Sequence, residues 1–337
     1  MNIMMTIVSA SALVAFLLTA VSGRAVIPLL HKLKFGQTIR DVGPSWHKNK
    51  QGTPTMGGVM FIGATIVTFL LAIAACYFIV PAKVLNVTPL IKTRLYGGLL
   101  MATGCGIVGY ADDYIKVVKK RNLGLTARQK MFGQLLVALA YSLSIYLIRG
   151  TDVYVPFVGN VEFGIWFIPF CMFVIVSMTN AVNLTDGIDG LCSSVSFIVC
   201  LFFIVAAGVT GFSGQSILAS ILAGALAGFL VWNLHPAKVM MGDTGSLFIG
   251  GLITALAFGI NQPFLLIPVG IIYIVEVLSV MMQVTYFKIT HGKRLFKMSP
   301  IHHHCELSGW SENKIVTVFT AITLLGCAAA WVILIYA

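Results

Sequence analysis

The stretch Asn180-Ala-Val-Asn-Leu-Thr-Asp-Gly-Ile-Asp-Gly-Leu191 separates two long apolar runs and sets the fold class of the chain. The run before it extends from Ile165 to Met178, and the run after it from Cys192 to Val209. A helix of about 20 apolar residues is long enough to cross a bilayer. Ionisable side chains at the edge of a membrane span are costly and mark functional sites. The pattern therefore predicts membrane-spanning helices with a functional site where two of them end.

The polar residues of this stretch recur at a helical spacing. Asn180, Asn183, Asp186 and Asp189 are each three residues apart, so on a continuous helix they would share one face. A polar turn between two helices is the alternative, but such a turn requires one or two polar residues rather than four. We therefore expect an acidic face that acts on a substrate.

Composition extends the prediction to the whole chain. Of the 337 residues, 58% are hydrophobic and 10% are charged, whereas soluble domains contain about 25% charged residues. The expected fold is all-α, a polytopic membrane protein with ten spans and short connections, forming one integral domain over residues 1–337. The predicted spans are 4–22, 56–80, 94–111, 131–148, 164–182, 192–210, 216–234, 245–260, 263–287 and 315–336.

The distribution of basic residues predicts the orientation in the membrane. Most of the 22 Lys and Arg residues fall in five loops, which the positive-inside rule places in the cytoplasm. Both termini are then extracytoplasmic. The first apolar run lacks a basic n-region and a small-residue cleavage site, so it is expected to remain as a span. The five loops cover residues 23–55, 112–130, 183–191, 235–244 and 288–314.

The same loops hold most of the acids, so the cytoplasmic face is basic with carboxylates set into it. Such a face attracts anionic lipid head groups and phosphorylated solutes. Nucleic acid is not expected as a partner, because the sequence contains no basic soluble module. The seven cysteines mostly lie in apolar runs without C-x-x-C spacing, which favours buried, reduced thiols over disulfides or a zinc site.

Adjacent carboxylates occur at Asp112 and Asp113, at the end of the third predicted span. Two like charges about 4 Å apart repel by roughly 4 kcal/mol at an effective dielectric of about 20. The pair therefore implies a divalent cation, a shared proton or neighbouring basic side chains. A D-D-x-x-D prenyl-diphosphate motif is disfavoured because its third acid is replaced by Lys116. The basic loop that follows is explained most simply by topology; it contains Lys116, Lys119, Lys120, Arg121, Arg128 and Lys130.

Two further loops have the composition of phosphate sites. Lys50 precedes Gly52-Thr-Pro-Thr55 at a predicted helix start, which suits phosphate binding, although membrane anchoring and a helix cap explain it equally well. Asp243 lies within Gly242-Asp-Thr-Gly-Ser246, where a carboxylate on a tight turn suits Mg²⁺ beside phosphate oxygens. A helix cap is again the alternative, but this motif offers more capping residues than a cap requires.

One glycine motif is interpreted structurally. Gly104-Cys-Gly-Ile-Val-Gly109 matches G-x-G-x-x-G, but it lies inside an apolar helix and no strand precedes it. A dinucleotide site requires that strand and a βαβ unit around it. Small residues that allow close helix packing explain the motif better.

Two features near the C-terminus involve titratable groups. Glu276 is the only acid deep in a predicted span. Its expected partner is Gln283, Tyr273 or water, and no catalytic role follows from its position. Three histidines follow in the last cytoplasmic loop, and we expect them to donate to phosphate or pyrophosphate oxygens, with a transition-metal site as the less favoured alternative. They are His302, His303 and His304.

Taken in order, five motifs resemble those of the bacterial phospho-N-acetylmuramoyl-pentapeptide transferases, within the polyprenyl-phosphate N-acetylhexosamine-1-phosphate transferase superfamily. The resemblance runs from the first loop to the last span. The first and last motifs mark the peptidoglycan branch, and the acidic motifs belong to the wider superfamily. The motifs are Gly52-Thr-Pro-Thr-Met-Gly-Gly58, Asp112-Asp113, Asn180–Leu191, Gly242-Asp-Thr-Gly-Ser246 and Ser299-Pro-Ile-His-His-His304.

The resemblance implies ten transmembrane helices, an active site on the cytoplasmic side of a bacterial cell membrane, and a homodimer. It also implies that phospho-N-acetylmuramoyl-pentapeptide is transferred from its UDP carrier to undecaprenyl phosphate, with Mg²⁺ as the cofactor. The products are then UMP and the first lipid-linked peptidoglycan intermediate. Membrane lipid is the remaining expected partner.

Residue by residue, the resemblance implies a catalytic set of Asp112, Asp113, Asp243 and His303. Asp243 matches the Mg²⁺-binding aspartate, with Asn183 as a second candidate ligand, and the Asp112–Asp113 pair matches residues that handle a proton. The Asn180–Leu191 stretch then becomes one wall of the nucleotide cleft. The implied substrate-binding residues are Lys50, Thr55, Lys120, Asn180, Asn183, Asp186, Asp189, Asn233, Gln283, His302 and His304.

Two other functions compete with this interpretation. A superfamily relative that uses UDP-N-acetylglucosamine shares the acidic motifs, but the His-His-His and Thr-Pro-Thr-Met-Gly-Gly segments argue against it. A secondary transporter is the non-enzyme alternative. It predicts carboxylates near the bilayer midplane and an inverted repeat, whereas the acids of this chain cluster at one face and no repeat is found.

Overall fold

The computed structural model of the protein describes residues 3–33, 52–79, 88–118 and 124–337. Lys50 and Lys120, both predicted to bind substrate, lie outside the described residues. A π-helical turn, Thr93–Gly97, connects the short third helix to the long fourth helix of the chain. In chain order the elements are α1 (Ile3–Lys32), α2 (Gly58–Ile79), α3 (Pro89–Lys92), α4 (Gly98–Val118), α5 (Ala127–Leu147), β1 (Asp152–Val155), β2 (Gly159–Glu162), α6 (Phe167–Thr185), α7 (Leu191–Val209), α8 (Ser213–Asn233), α9 (Gly242–Gly259), α10 (Leu266–Val269), α11 (Ile271–Ile289), α12 (Ile301–Glu306) and α13 (Glu312–Tyr336).

The long helices have the length and composition of membrane spans. Within the described ranges, nine are long and apolar enough to cross a bilayer: α1, α2, α5, α6, α7, α8, α9, α11 and α13. Helix α4 is of similar length but carries Asp112, Asp113 and Lys116 in its last turns, and it is not one of the nine. The prediction of a mainly helical, multi-pass membrane protein is therefore confirmed, whereas a tenth crossing stays a prediction.

Two details of the predicted fold are wrong. Helix α4 continues to Val118, so Asp112 and Asp113 lie in a helix rather than in the loop predicted to start at residue 112. The predicted span 263–287 is interrupted at Gly270, where α10 ends and α11 begins. The all-α fold also contains one short hairpin that was not predicted, in which β1 and β2 pair antiparallel from Asp152–Glu162 to Val155–Gly159.

Helices α8 and α9 form the centre of the bundle. Every residue of α9 from Thr244 to Gly259 is buried, as expected for a helix that is apolar on all sides. Helix α8 packs against α1 and α7, and α9 packs against α4 and α6. Because α9 begins at Gly242 inside the bundle, its first turn presents Asp243 to the helices around it.

Glycines allow α4 to lie close to its neighbours. A Cβ atom at Gly109 would collide with the backbone carbonyl of Asp243, and one at Gly106 would come within 3.3 Å of Phe248. A Cβ at Gly104 would lie 3.0 Å from Val137 on α5. The interpretation of the glycine motif as a close-packing surface is therefore confirmed. The approach at Gly109 also fixes the separation between the acids of α4 and Asp243.

We predict that Gly109→Ala destabilises the protein, because the added methyl must push α4 away from the start of α9. Overpacking of this kind costs about 1–3 kcal/mol. Gly63→Ala in α2 is the matched control, since a Cβ there meets nothing within 4 Å and alanine favours a helix by up to about 1 kcal/mol over glycine. Thermal unfolding in detergent should show a lower midpoint for Gly109→Ala and an equal or higher midpoint for Gly63→Ala.

Candidate active site

The candidate site lies where the ends of several helices meet. The last turns of α4 and α6 and the first turns of α5 and α9 bring together polar side chains that are far apart in the sequence. Helices that follow one another in the chain run in opposite directions, so the end of one helix and the start of the next lie on the same side of the bundle. The charged residues are thereby gathered at one end of an otherwise apolar bundle.

Three carboxylates form the core of the site. One oxygen from each of Asp112, Asp113 and Asp243 lies within 4.8 Å of the others. The ammonium of Lys116 lies among them, with Nζ 2.6 Å from Asp112 Oδ2, 3.5 Å from Asp113 Oδ1 and 2.9 Å from Asp243 Oδ2. Since Lys116 is four and three residues after the two acids of α4, one helical turn brings its amine to them.

A second lysine and an amide complete the contacts of Asp243. Lys130, in the first turns of α5, places Nζ 3.0 Å from Asp243 Oδ2 and 3.0 Å from Asn183 Oδ1. The Asn183 amide donates to Asp243 Oδ1 and to Ser246 Oγ, each at 2.8 Å. Asn183 is therefore held in contact with the acid predicted to bind the metal.

Asp113 is fixed by the start of α9. Its Oδ2 accepts hydrogen bonds from the Thr244 backbone N–H at 2.9 Å and from the Thr244 hydroxyl at 2.8 Å. Gly242, with φ +71°, leaves room here, because a Cβ on it would lie 2.5 Å from Asp113 Oδ2 and 2.7 Å from Thr55 Oγ1. The Thr55 hydroxyl, predicted to bind substrate, is thus beside the acid cluster.

The donor set fits a hard divalent cation. Mg²⁺ and Ca²⁺ prefer oxygen ligands, and carboxylates are the usual protein donors. The three carboxylates already enclose one positive charge, the Lys116 ammonium, at ion-pair distances. A second group in the described residues, Asp189, His235 and Glu312, has ligand atoms equally close, although Asp189 is occupied by other contacts.

The stretch Asn180–Leu191 does not form a single helical face, and that prediction is wrong. Helix α6 ends at Thr185, and Asp186 is its C-cap with φ −81° and ψ 60°. Asn180 bonds to the Gln134 side chain on α5 at 2.8 Å. Asp189 lies in the following turn and bonds to Glu312 and to the segment after α8, whereas Asn183 donates a hydrogen bond to Asp243.

Asp189 belongs to a separate group of contacts. Its Oδ2 is 2.9 Å from His235 Nδ1 and accepts a hydrogen bond from the Ala237 N–H at 3.0 Å. The Asp189 N–H donates to Glu312 Oε2 at 3.1 Å. Asn233 is buried nearby and bonds to Ser193 and to the Val239 carbonyl. These contacts hold the turn after α6 against the ends of α8 and α13.

Asp186 has an unusual acidity. Burial raises the pKa of its carboxyl to about 8, and the negative charges of Asp243 and Asp113 act in the same direction. The Gly242 N–H donates to this carboxyl and opposes the shift in part. At neutral pH the group is therefore mostly protonated and available to donate a hydrogen bond.

The histidines occupy the short helix α12, and their Nδ1 atoms are already engaged. His302 Nδ1 is 3.0 Å from Glu276 Oε1, His303 Nδ1 is 2.6 Å from Glu306 Oε2, and His304 Nδ1 accepts from the Lys297 N–H. His303 and His304 are half-buried, whereas His302 is completely buried. A substrate oxygen reaches His302 only if the ring moves.

Two expectations about α11 are changed by the structure. Glu276 pairs with His302 and not with Gln283 or Tyr273, because Tyr273 bonds to Ser196 at 2.7 Å. The Gln283 side chain bonds to the backbone of the loop after α11: it accepts from the Leu295 and Phe296 N–H groups and donates to the Phe296 carbonyl. Gln283 therefore contacts this loop in the described structure.

Two residues of the candidate site, Lys116 and Lys130, lie in the basic stretch that the sequence alone explains most simply by membrane topology. The spacing of Lys116 from Asp112 and Asp113 was a usable signal, because residues three and four apart on a helix are neighbours. No local signal identifies Lys130, whose partner Asp243 is 113 residues away. No local signal identifies the hydrogen bonds from Thr244 to Asp113 either, because a threonine at the start of a helix is equally expected as a helix cap.

The chain was compared with known families and curated proteins. The family model described as glycosyl transferase family 4 matches residues 95–261, and the phospho-N-acetylmuramoyl-pentapeptide-transferase signature 1 matches residues 50–62. Proteins named phospho-N-acetylmuramoyl-pentapeptide-transferase are similar over nearly the whole chain. The one from Clostridium perfringens (strain 13 / Type A) is 46% identical, covering 94% of this chain and 96% of its own. Those from Clostridium novyi (strain NT) and Carboxydothermus hydrogenoformans are 45% and 47% identical, covering 98% and 93% of this chain and 98% and 94% of their own.

We predict that Asp186→Asn raises thermal stability at neutral pH in buffer without divalent cations. The folded protein binds the Asp186 proton more tightly than the unfolded chain, whose pKa is about 3.9. The contribution of Asp186 to wild-type stability therefore falls as pH rises from about 4 to about 8. The asparagine oxygen keeps an acceptor for the Gly242 N–H but does not ionise. The melting midpoint of Asp186→Asn minus that of the wild type should increase between pH 5 and pH 8.

The exposed aspartate Asp152 provides the control for this measurement. Asp152→Asn shows how far the exchange of an exposed aspartate for asparagine by itself changes the midpoint at each pH. A difference between Asp186→Asn and wild type that stays constant over the same pH range would contradict the raised pKa of Asp186.

Proposed function

Because the chain belongs to the phospho-N-acetylmuramoyl-pentapeptide-transferase family, we propose that it transfers phospho-N-acetylmuramoyl-pentapeptide from its UDP-linked precursor to undecaprenyl phosphate. UMP and the first lipid-linked intermediate of peptidoglycan synthesis are the products. The observation that carries this proposal is the cluster of Asp112, Asp113 and Asp243 around Lys116 at the end of a membrane bundle. A phosphoglycosyl transferase needs such a site, since it must bring two anions together beside a lipid.

Mg²⁺ is the cofactor we propose for this cluster. Asp243 would be the principal ligand, and Asp112 and Asp113 would offer further oxygens, because one oxygen from each of the three carboxylates lies within 4.8 Å of the others. The Asn183 amide is in contact with Asp243. When bound, Mg²⁺ neutralises pyrophosphate charge and stabilises the charge that develops on the leaving UMP. The chain's own lysines share this task, because Lys116 and Lys130 both lie within 3.0 Å of Asp243.

The reaction we propose is a substitution at phosphorus. An oxygen of undecaprenyl phosphate forms a bond to the phosphorus attached to the sugar, and the bond from that phosphorus to UMP breaks. We assign the proton of the lipid phosphate to the Asp112–Asp113 pair. Lys116, Lys130 and the partly exposed His303 offset the repulsion between the two anions by donating to their oxygens. His303 is oriented for this role by Glu306, 2.6 Å from its Nδ1.

We propose that the nucleotide end of the substrate binds beside the acid cluster. One wall is the turn that contains Asp186 and Asp189, and the other is formed around Thr55, which lies before α2 and within the signature match at residues 50–62. Asn183 joins this wall to Asp243. The remaining residues that we propose to bind substrate, either directly or by shaping the cleft, are Lys50, Lys120, Asn180, Asn233, Gln283 and His304.

Orientation and assembly are also part of the proposal. The chain is a multi-pass membrane protein, and we propose that α4 is its tenth crossing helix, that the whole chain is one transferase domain, and that both termini are extracytoplasmic. The acid cluster then faces the cytoplasm, where the UDP-linked substrate is found. A homodimer is proposed from the family resemblance, and mass measurement in detergent tests it.

A related transferase for UDP-N-acetylglucosamine is the second candidate in this superfamily, since it would use the same acids. The signature at residues 50–62 and the named relatives favour the pentapeptide substrate. Both candidates release UMP, so the choice between them depends on which UDP-sugar is consumed.

The proposed function is tested by measuring UMP release from UDP-N-acetylmuramoyl-pentapeptide in detergent. Release should require both undecaprenyl phosphate and Mg²⁺, because the lipid phosphate is the acceptor and the acids need a cation. UDP-N-acetylglucosamine in place of the pentapeptide substrate should give no product. Release that ignores both additions would falsify the assignment.

We further predict that Asp112→Asn, Asp113→Asn and Asp243→Asn each reduce transfer to the detection limit while the protein still folds. Each amide keeps the size of the carboxyl but removes a negative charge needed for the cation or the proton. Asp152→Asn, outside the site, is the matched control and should retain wild-type turnover. Near-normal turnover in any of the three variants would remove that residue from the catalytic set.

A further inference from the structure

Glu276 and His302 form a pair that is completely enclosed by the protein. Both side chains have 0% exposure, and His302 Nδ1 lies 3.0 Å from Glu276 Oε1. Glu276 lies in α11, and His302 lies in the first turn of α12, 26 residues later in the chain. Burying a carboxyl and an imidazole is costly unless each satisfies the other, so this contact ties the two helices together.

The second polar atom of each side chain is buried, and that of His302 lies against a third element. Glu276 Oε2 and His302 Nε2 have no hydrogen-bond partner among the described residues. His302 Nε2 lies against Gly187, where a Cβ atom would collide with it. Gly187 is in the turn between Asp186 and Asp189. The imidazole ring is thus packed directly against the turn that carries these two acids.

The burial of His302 separates its role from that of its neighbour. The ring centroids of His302 and His303 are 4.1 Å apart, yet only His303 is partly exposed, with 14% of its side chain accessible. A completely buried ring cannot donate to a substrate oxygen without leaving its place. His302 therefore differs from His303 in what it contacts, although the two are adjacent in sequence.

We propose that Glu276 is a positioning residue that acts through His302. Its hydrogen bond holds the His302 ring in one orientation, the ring packs against Gly187, and Gly187 fixes the turn from Asp186 to Asp189. This inference rests on the proposed function, in which that turn binds the nucleotide end of the substrate. Glu276 itself touches no substrate.

Glycine at position 187 is what makes this arrangement fit. Any other residue would place its Cβ on His302 Nε2, so the ring and the turn occupy complementary spaces. If Glu276 is removed, the ring loses the only hydrogen bond that the described residues give it and can rotate. The turn then loses its support, and Asp186 and Asp189 shift relative to Asp243.

The test compares Glu276→Ala with Glu276→Gln by steady-state kinetics with Mg²⁺ and both substrates. Glu276→Ala should raise KM for UDP-N-acetylmuramoyl-pentapeptide by about 10-fold or more, because small displacements of binding groups have effects of this size. KM for undecaprenyl phosphate should stay unchanged. Glu276→Gln should restore most of the loss, since the amide oxygen can still accept the hydrogen bond from Nδ1.

Tyr273→Phe is the matched control. Tyr273 is on the same helix, is also 0% exposed, and loses only its bond to Ser196 in this variant. Tyr273→Phe should leave both KM values unchanged even if it lowers the thermal midpoint. Glu276→Ala that lowers kcat alone, or raises both KM values equally, behaves as a general structural defect and overturns the proposal.

Gly187→Ala provides an independent variant in case Glu276→Ala does not fold. Its methyl group should push the turn away from His302 and raise the same KM. Because both changes act through one ring, their combined effect should be smaller than the product of the single effects; a full product contradicts the proposal. Wild-type protein that releases no UMP refutes the proposed function, whereas active wild type with unaffected Glu276 and Gly187 variants refutes only this inference.

Discussion

The main constraint on the candidate site is the electrostatic repulsion among three carboxylates that two helices bring close together. Asp112 and Asp113 end α4, and Asp243 begins α9, with oxygens within 4.8 Å of one another. At about 4 Å, each pair of charges repels by roughly 4 kcal/mol at an effective dielectric of about 20. Lys116 and Lys130 offset this repulsion. The close approach that creates it is possible because Gly109 lets α4 touch the backbone of Asp243.

The membrane explains why the charges are at helix ends. A charged side chain in the middle of a span is expensive, and α9 is buried along its length from Thr244 to Gly259. An apolar bundle can therefore hold a charged site only where its helices begin and end. Glu276 lies within a helix rather than at a helix end. Its burial is tolerated because it is paired with the buried His302.

Most residues that meet at the candidate site could be predicted from the sequence because they occur in short motifs. Asp112, Asp113, Asp243, Asn183 and Thr55 were identified from residue type and local spacing, and the structure brings them together. The membrane-spanning helices followed from hydrophobicity and length. Both predictions depend on local properties, which a single sequence records.

What the sequence could not predict depends on contacts between distant segments. The end of α6 at Thr185 separates Asp186 and Asp189 from the face of Asn183. Gly187 and Gly190 are a local signal for the end of a helix, but they do not specify which groups Asp186 and Asp189 then contact. The partners of Lys130 and Glu276 are set by how α5, α9 and α12 pack. The hairpin of β1 and β2 was missed because a pair of four-residue strands is short beside the helices around it.

These contacts also link the two halves of the proposed site. Burial raises the pKa of Asp186, and the negative charges of Asp243 and Asp113 act in the same direction. The turn that Glu276 and His302 support is then coupled to the acid cluster by charge as well as by the Asn183 hydrogen bond.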